Sequence, residues 1–89
     1  MRYYQVNTTK DLGAITALEL DDQKHFKFVL DFHEQLMPQI NPMREVMNLP
    51  KIGANVIVGA EYTMIVLYRG EWDENALNLA HDLVAGGAQ

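Results

Sequence analysis

The chain has 89 residues, with twelve acidic side chains against seven basic ones, a net charge of -5 and 48% hydrophobic residues. This length fits a single globular domain over residues 1–89 with one core, and the composition is too apolar for a disordered chain. The acidity argues against direct binding of nucleic acid, which needs clustered lysine and arginine. Cysteine and serine are absent, which excludes disulfides, thiolate metal sites and both of the corresponding nucleophiles.

The start of the chain bears on its location in the cell. Residues 1–5 lack the apolar run of a signal peptide, and no stretch approaches the length of about 18 apolar residues that indicates a membrane span. A chain without cysteine has no need of an oxidising compartment. We therefore expect a cytoplasmic protein that does not associate with membranes.

The first element predicted from the sequence is a strand over residues 1–7, where two tyrosines and a valine precede a polar Asn-Thr-Thr break. Residues 8–20 fit two structures. Thr8 and Asp11 have the spacing of a helix capping box, whereas Gly13 and the alternation that follows favour a strand paired with the first. The sequence leaves helix and strand equally open for this segment.

The segment from Asp22 to Met37 predicts a helix on which the rest of the chain packs. An aspartate suits the position that caps the first free amides. At about 100° per residue, one apolar cluster forms, with two phenylalanines beside it: Phe26, Val29, Leu30, His33, Leu36, Met37, then Phe28 and Phe32. The resulting arc of roughly 200° is wider than a surface helix needs. We therefore expect a cover on two sides, one being the sheet and the other a second helix or a second copy of the chain.

Prolines divide the middle of the chain. Pro38 predicts that the helix stops or kinks near Met37, because proline removes an amide donor and disfavours helical geometry before it. Residues 41–47 then predict a separate short helix capped by Asn41, with Pro42 at its first helical position.

Residues 53–69 form the predicted strand region. Gly59 to Glu61 suits a hairpin turn, although a single bent strand with a bulge at Gly59 fits as well. From Tyr62 to Tyr68 both alternating faces are largely apolar, which indicates cover on both faces.

Asp73 then caps a last helix over residues 74–85, which Gly86 and Gly87 end. The pattern predicts an α+β fold, with a three- or four-stranded mainly antiparallel sheet on two or three helices; a ferredoxin-like domain is the alternative.

Histidines are the main candidates for chemistry, and they carry little signal. His25 and His33 lie eight residues apart, about 12 Å along a helix axis, so they cannot share a metal ion. We expect no metal site and no cofactor. His33 sits near the centre of the apolar arc, and we predict a buried polar site there, with a hydrogen bond from one of the tyrosines.

The C-terminal third is acidic. No lysine or arginine follows Arg69, whereas four carboxylates do. Such a surface suits a basic patch on another protein, and Trp72 beside it fits either an interface anchor or the edge of the core. We predict that a protein interface includes Glu71, Trp72, Asp73, Glu74, Asp82, Phe28 and Phe32.

The sequence supports several functions. We expect a small acidic protein–protein interaction module, a regulator or inhibitor that acts by binding a partner protein. One alternative is a subunit of a larger assembly of like or unlike chains. Another is a small dimeric ferredoxin-like protein that binds a ligand or acts as an enzyme, although the catalytic signal is weak.

Overall fold

The computed structural model describes residues 1–86 and shows an α+β domain of three layers. A four-stranded mixed sheet lies in the middle, with one helix on each face. The strands are β1 (Arg2–Asn7), β2 (Thr16–Leu20), β3 (Ile52–Val58) and β4 (Tyr62–Arg69), and the helices are α1 (Gln23–Val46) and α2 (Glu74–Ala85). The expected fold class is therefore confirmed, with four strands and two helices. The chain order of β2, α1, β3, β4 and α2 is compatible with the ferredoxin-like alternative.

The sheet has the order β2-β1-β4-β3, so that β1 and β4 lie in the centre and β2 and β3 form the edges. β1 runs parallel to β4, and the other two pairs are antiparallel. The predicted hairpin between β3 and β4 is confirmed, and its turn is closed by the bond from Gly59 N–H to Tyr62 O at 2.9 Å. The alternative prediction, a single bent strand with a bulge at Gly59, is not observed.

The open segment 8–20 contains both a short turn and a strand. A 3-10 turn covers Lys10–Leu12, and β2 follows it as the partner of β1. The Thr8 hydroxyl does not cap a helix but donates to Leu67 O on β4 at 2.8 Å. The alternation of Thr16, Leu18 and Leu20 was therefore the better guide to this segment.

Each face of the sheet has its own core. On one face, Phe26 of α1 covers the buried sheet residues Leu20, Ile65 and Leu67. On the other face, Ala80 and Val84 of α2 cover the buried sheet residues Tyr4, Val6, Ala17, Met64 and Val66. The two apolar faces of β4 are thus covered by the chain's own helices. The prediction of cover on both faces holds, and β4 gives no reason to invoke a second chain.

The helix α1 does not stop at Pro38, and residues 41–47 do not begin a separate helix. α1 continues through Pro38 and Pro42 to Val46. Both prolines are exposed, so water can reach the carbonyls that lose an amide partner. The Asn41 side chain anchors the segment beyond Pro38 to β3, because its amide donates to Ile52 O at 3.0 Å and accepts from Ile52 N–H at 2.8 Å.

The last helix begins as predicted, since the Asp73 carboxylate accepts from Ala76 N–H at 2.9 Å. Gly86 follows the final residue of α2. The predicted role of Gly87 falls outside the described residues. Within residues 1–86, neither helix combines the length and the apolar character that a membrane crossing requires.

Candidate protein-binding surface

One exposed side of α1 carries a line of apolar side chains. The five most exposed define what we call the α1 flank: Phe28, Phe32, Met43, Val46 and Met47. At about 100° per residue they fall within an arc of roughly 100°. At about 1.5 Å per residue, the line from Phe28 to Met47 is about 29 Å long. The α1 flank therefore extends along most of the helix.

The exposure of the α1 flank is large for such side chains. Phe28 is 71% exposed, Phe32 is 52% exposed and Val46 is 88% exposed. Half-buried Leu36 and Ile40 continue the apolar line between the two phenylalanines and the methionines. Apolar residues scattered singly over a surface need no explanation, but a contiguous stripe on one helix is typical of a binding surface.

The position of the α1 flank follows from the contacts that fix the rotation of the helix. Phe26 faces the sheet and packs against Tyr3, with ring centroids 5.4 Å apart. Asn41 faces β3, and helical geometry places it roughly opposite the α1 flank. The α1 flank therefore lies on the β2 side, where Leu18 adds a further exposed apolar side chain on the same face of the sheet.

Uncharged polar groups border the α1 flank. Gln35 is exposed beside the flank and exposed Gln39 lies within its arc, and neither amide carries a charge that a partner would have to desolvate. The ion pair between Lys27 and Asp31, with Nζ and Oδ1 3.7 Å apart, lies further round the helix on the solvated face. At the C-terminal end of the helix, a shallow cleft of about 300 Å³ is lined by Pro42, Met43, Val46 and Met47. The surface thus combines two rigid aromatic side chains with adaptable thioethers.

The predicted buried site at His33 has a different structure from the one expected. The ring is half-buried, and its Nδ1 lies 2.8 Å from Val29 O of the same helix. Its ring packs edge-on against Phe32 at 5.3 Å between centroids. The predicted hydrogen bond from a tyrosine to His33 is not found among residues 1–86, where the ring bonds to a carbonyl one turn away in its own helix.

The structure contains a tyrosine–histidine pair elsewhere. Tyr62 Oη and His81 Nδ1 are 2.6 Å apart and link β4 to α2. Sequence reasoning gave His81 little weight. The available signal was its place next to Ala80 on the apolar face of α2, but the matching tyrosine could be chosen only once the sheet order was known. The pair is half-buried and ties two elements together.

The predicted C-terminal interface residues lie on the opposite face of the sheet from Phe28 and Phe32. Trp72 is half-buried and packs against the core beneath α2, with its ring 5.0 Å from that of Tyr68. Asp73 caps α2, while Glu71, Glu74 and Asp82 are exposed. The structure therefore brings the predicted residues together as two separate surfaces.

A cleft of about 190 Å³ opens beside this acidic surface, where the parallel strands β1 and β4 end. Its lining includes Thr8, Thr9, Arg69, Glu71 and Asp73. Within residues 1–86, no group of three or more histidine or carboxylate side chains is placed to hold a metal ion. The mixed charges of the lining do not select one class of ligand.

The geometry of the α1 flank therefore carries the functional argument for this chain. No family model, curated protein or solved structure matches the chain.

Proposed function

We propose that this protein is a small acidic interaction module of the cytoplasm, a regulator or inhibitor that binds a partner protein through the α1 flank. One observation carries the proposal: five strongly exposed apolar side chains form a line about 29 Å long on a helix whose other side is anchored to the sheet. Burying such side chains against a partner removes apolar surface from water, at roughly 25 cal/mol per Å².

The shape of the α1 flank favours an amphipathic helix as the bound element of the partner. With half-buried Leu36 and Ile40 filling the gap between Phe32 and Met43, apolar side chains recur at intervals of three and four along this side of α1, which is the spacing that lets two helices interlock. Phe28 and Phe32 are the rigid anchors, and Met43 and Met47 adapt to the partner's side chains. The net charge of -5 favours a partner with basic residues around its apolar face.

Occupation of a partner's surface is enough for regulation or inhibition, since a bound domain of 89 residues excludes other ligands from that surface. The anchored state of α1 helps binding. Because Asn41 and Arg44 hold the C-terminal half of the helix to neighbouring segments, little conformational entropy is lost when the partner binds.

The test compares the wild-type chain with two variants. In the double variant Phe28→Gln and Phe32→Gln, the aromatic anchors become polar on exposed positions. The matched control, Lys27→Gln with Glu34→Gln, changes two exposed side chains on the solvated face and keeps the net charge. Each chain is immobilised and exposed to host lysate, captured proteins are identified by mass spectrometry, and the pair is reconstituted from purified components.

The proposal requires one identified protein that binds the wild type and the control but binds the double variant at least about tenfold more weakly, a loss of about 1.4 kcal/mol. Affinity should fall as salt rises, because salt screens the attraction between the net charge of -5 and a basic partner. Equal binding by the double variant, or no partner for a well-folded wild type, would refute the proposal.

A second candidate function, a subunit of an assembly, is favoured by a different observation. The strand β3 lies at the edge of the sheet, and its outer side carries exposed valines.

A further inference from the structure

The outer edge of β3 offers backbone groups for further strand pairing. The odd-numbered residues of β3 direct their backbone N–H and C=O groups toward β4. The bonds from Gly70 N–H to Lys51 O at 2.7 Å and from Gly59 N–H to Tyr62 O at 2.9 Å, at the two ends of the strand, show this pattern. Even-numbered residues of an antiparallel strand then direct N–H and C=O outward. Asn41 occupies both groups of Ile52. The outward groups of Ala54, Val56 and Val58 form what we call the free edge, and no other strand of residues 1–86 pairs with it.

The free edge lacks the features with which proteins usually prevent edge-to-edge pairing. Between Ile52 and Val58 there is no charged residue, no proline and no bulge. Val56 is 39% exposed and Val58 is 76% exposed, so that apolar side chains accompany the open backbone groups. At the other edge of the sheet, by contrast, β2 carries Glu19, which pairs with Arg2. β3 is therefore the edge that can accept a strand.

We infer that a second copy of this chain pairs with the free edge, antiparallel, with the two-fold axis at Val56. In this register Val56 faces Val56 of the second copy, and Ala54 faces Val58. All three residues of each copy then exchange backbone bonds, about six in total. If the two-fold axis moved one residue toward Ile52, the pairing would need the backbone groups of Ile52, which Asn41 already occupies. If it moved one residue the other way, the pairing would need Ala60 of the turn.

The symmetry of the free edge and its lack of charge support a second copy as the occupant. The strand itself is uncharged, so the net charge of -5 on each copy is not concentrated at the contact. Ala54 and Val58 each lie two positions from Val56, so the outward N–H and C=O groups of one copy meet those of the other with none left unpaired, which favours this register over a shifted one.

The dimer would contain a continuous eight-stranded sheet and leave the α1 flank free, since helical geometry puts that flank on the β2 side. Five residues per copy make a contact smaller than the standard interface. We expect association that depends strongly on concentration. Failure of the partner-binding proposal and failure of this one are distinguishable, because the two surfaces share no residue.

The absence of cysteine from the chain makes a direct test possible, because a single introduced cysteine can be followed without background. In the inferred register, Val56→Cys brings two cysteines to a Cα separation of about 5.5 Å, which suits a disulfide. Val58→Cys is the matched control. Its cysteine faces Ala54, so the two cysteines are about 13 Å apart along the strands and cannot join.

Disulfide dimers of each variant are quantified over time on non-reducing gels under mild oxidation, with folding checked by circular dichroism. The inference requires Val56→Cys to cross-link at least about tenfold faster than Val58→Cys. Mixed Ala54→Cys and Val58→Cys chains should also cross-link to each other, and dimerisation should be unchanged in Phe28→Gln with Phe32→Gln. Random collision predicts the reverse order, since Val58 is the more exposed residue. Faster or equal cross-linking at Val58, or a monomer at millimolar concentration in sedimentation, overturns the inference.

Discussion

Replacing Asn41 by alanine removes the contact that carries α1 past its prolines. Pro38 and Pro42 each lack an amide, so the segment that follows makes fewer hydrogen bonds within the helix than its length would allow. The Asn41 side chain replaces part of this loss with two bonds to Ile52, of 2.8 and 3.0 Å. We expect the variant to lose stability and to fray from Pro38 onward.

The size of the effect follows from the two bonds and their surroundings. Each contributes about 1 kcal/mol net, and the side chain of Ile52 is only 4% exposed, so water replaces the lost partners incompletely. The free energy of unfolding should fall by about 2–3 kcal/mol. In a domain of this size, that change lowers the melting temperature by about 10–20 °C.

Urea denaturation followed by circular dichroism measures the change, and amide exchange after residue 38 reports the fraying. Asn41→Asp keeps the acceptor for Ile52 N–H but loses the donor, so its loss should be smaller than that of Asn41→Ala. Gln39→Ala is the control, because this exposed side chain makes only a 3.3 Å bond to Gln35 O. A loss below about 0.5 kcal/mol for Asn41→Ala, equal to the expected effect of the control, would show that the anchor is not needed.

Three further predictions concern the sheet. Gly53→Ala should cost about 1–3 kcal/mol, because the new Cβ would lie 2.4 Å from Cζ of Tyr68, and adding Tyr68→Ala should make the Gly53 change nearly neutral in a double-mutant cycle. Met64→Ala, at a fully buried position, should cost about 2–5 kcal/mol in chemical denaturation, and a loss under about 1 kcal/mol would contradict the described core. The Arg2 guanidinium lowers the pKa of Glu19 below its usual 4.5, so this pair stabilises the fold above that pH and less as pH falls through the lowered pKa. The melting temperature of Arg2→Ala should therefore lie below that of the wild type near neutral pH and converge with it in acid. A difference in melting temperature that is the same at every pH would exclude the ion pair as the cause.

Several local elements of the fold could be predicted because short-range chemistry determines them. Asp73 caps α2 as its position before an apolar periodic segment suggests, and β4 is apolar on both sides because helices cover it on both sides. Helical periodicity places Phe28 and Phe32 beside the main apolar arc, and in the structure both are exposed aromatic side chains of the α1 flank. In each case the decisive neighbours lie within about one helical turn or along one strand.

Tertiary structure decided the features that depend on distant neighbours. Whether a helix survives Pro38 depends on the bonds that Asn41 makes to β3, which local propensity does not contain. The choice of Tyr62 as the partner of His81 likewise follows only from the three-dimensional arrangement. The amino-acid pattern by itself determined which side chains are apolar and where α1 and α2 begin. The packing of two helices on opposite faces determined which of those side chains are buried, because burial depends on the sum of contacts from all elements.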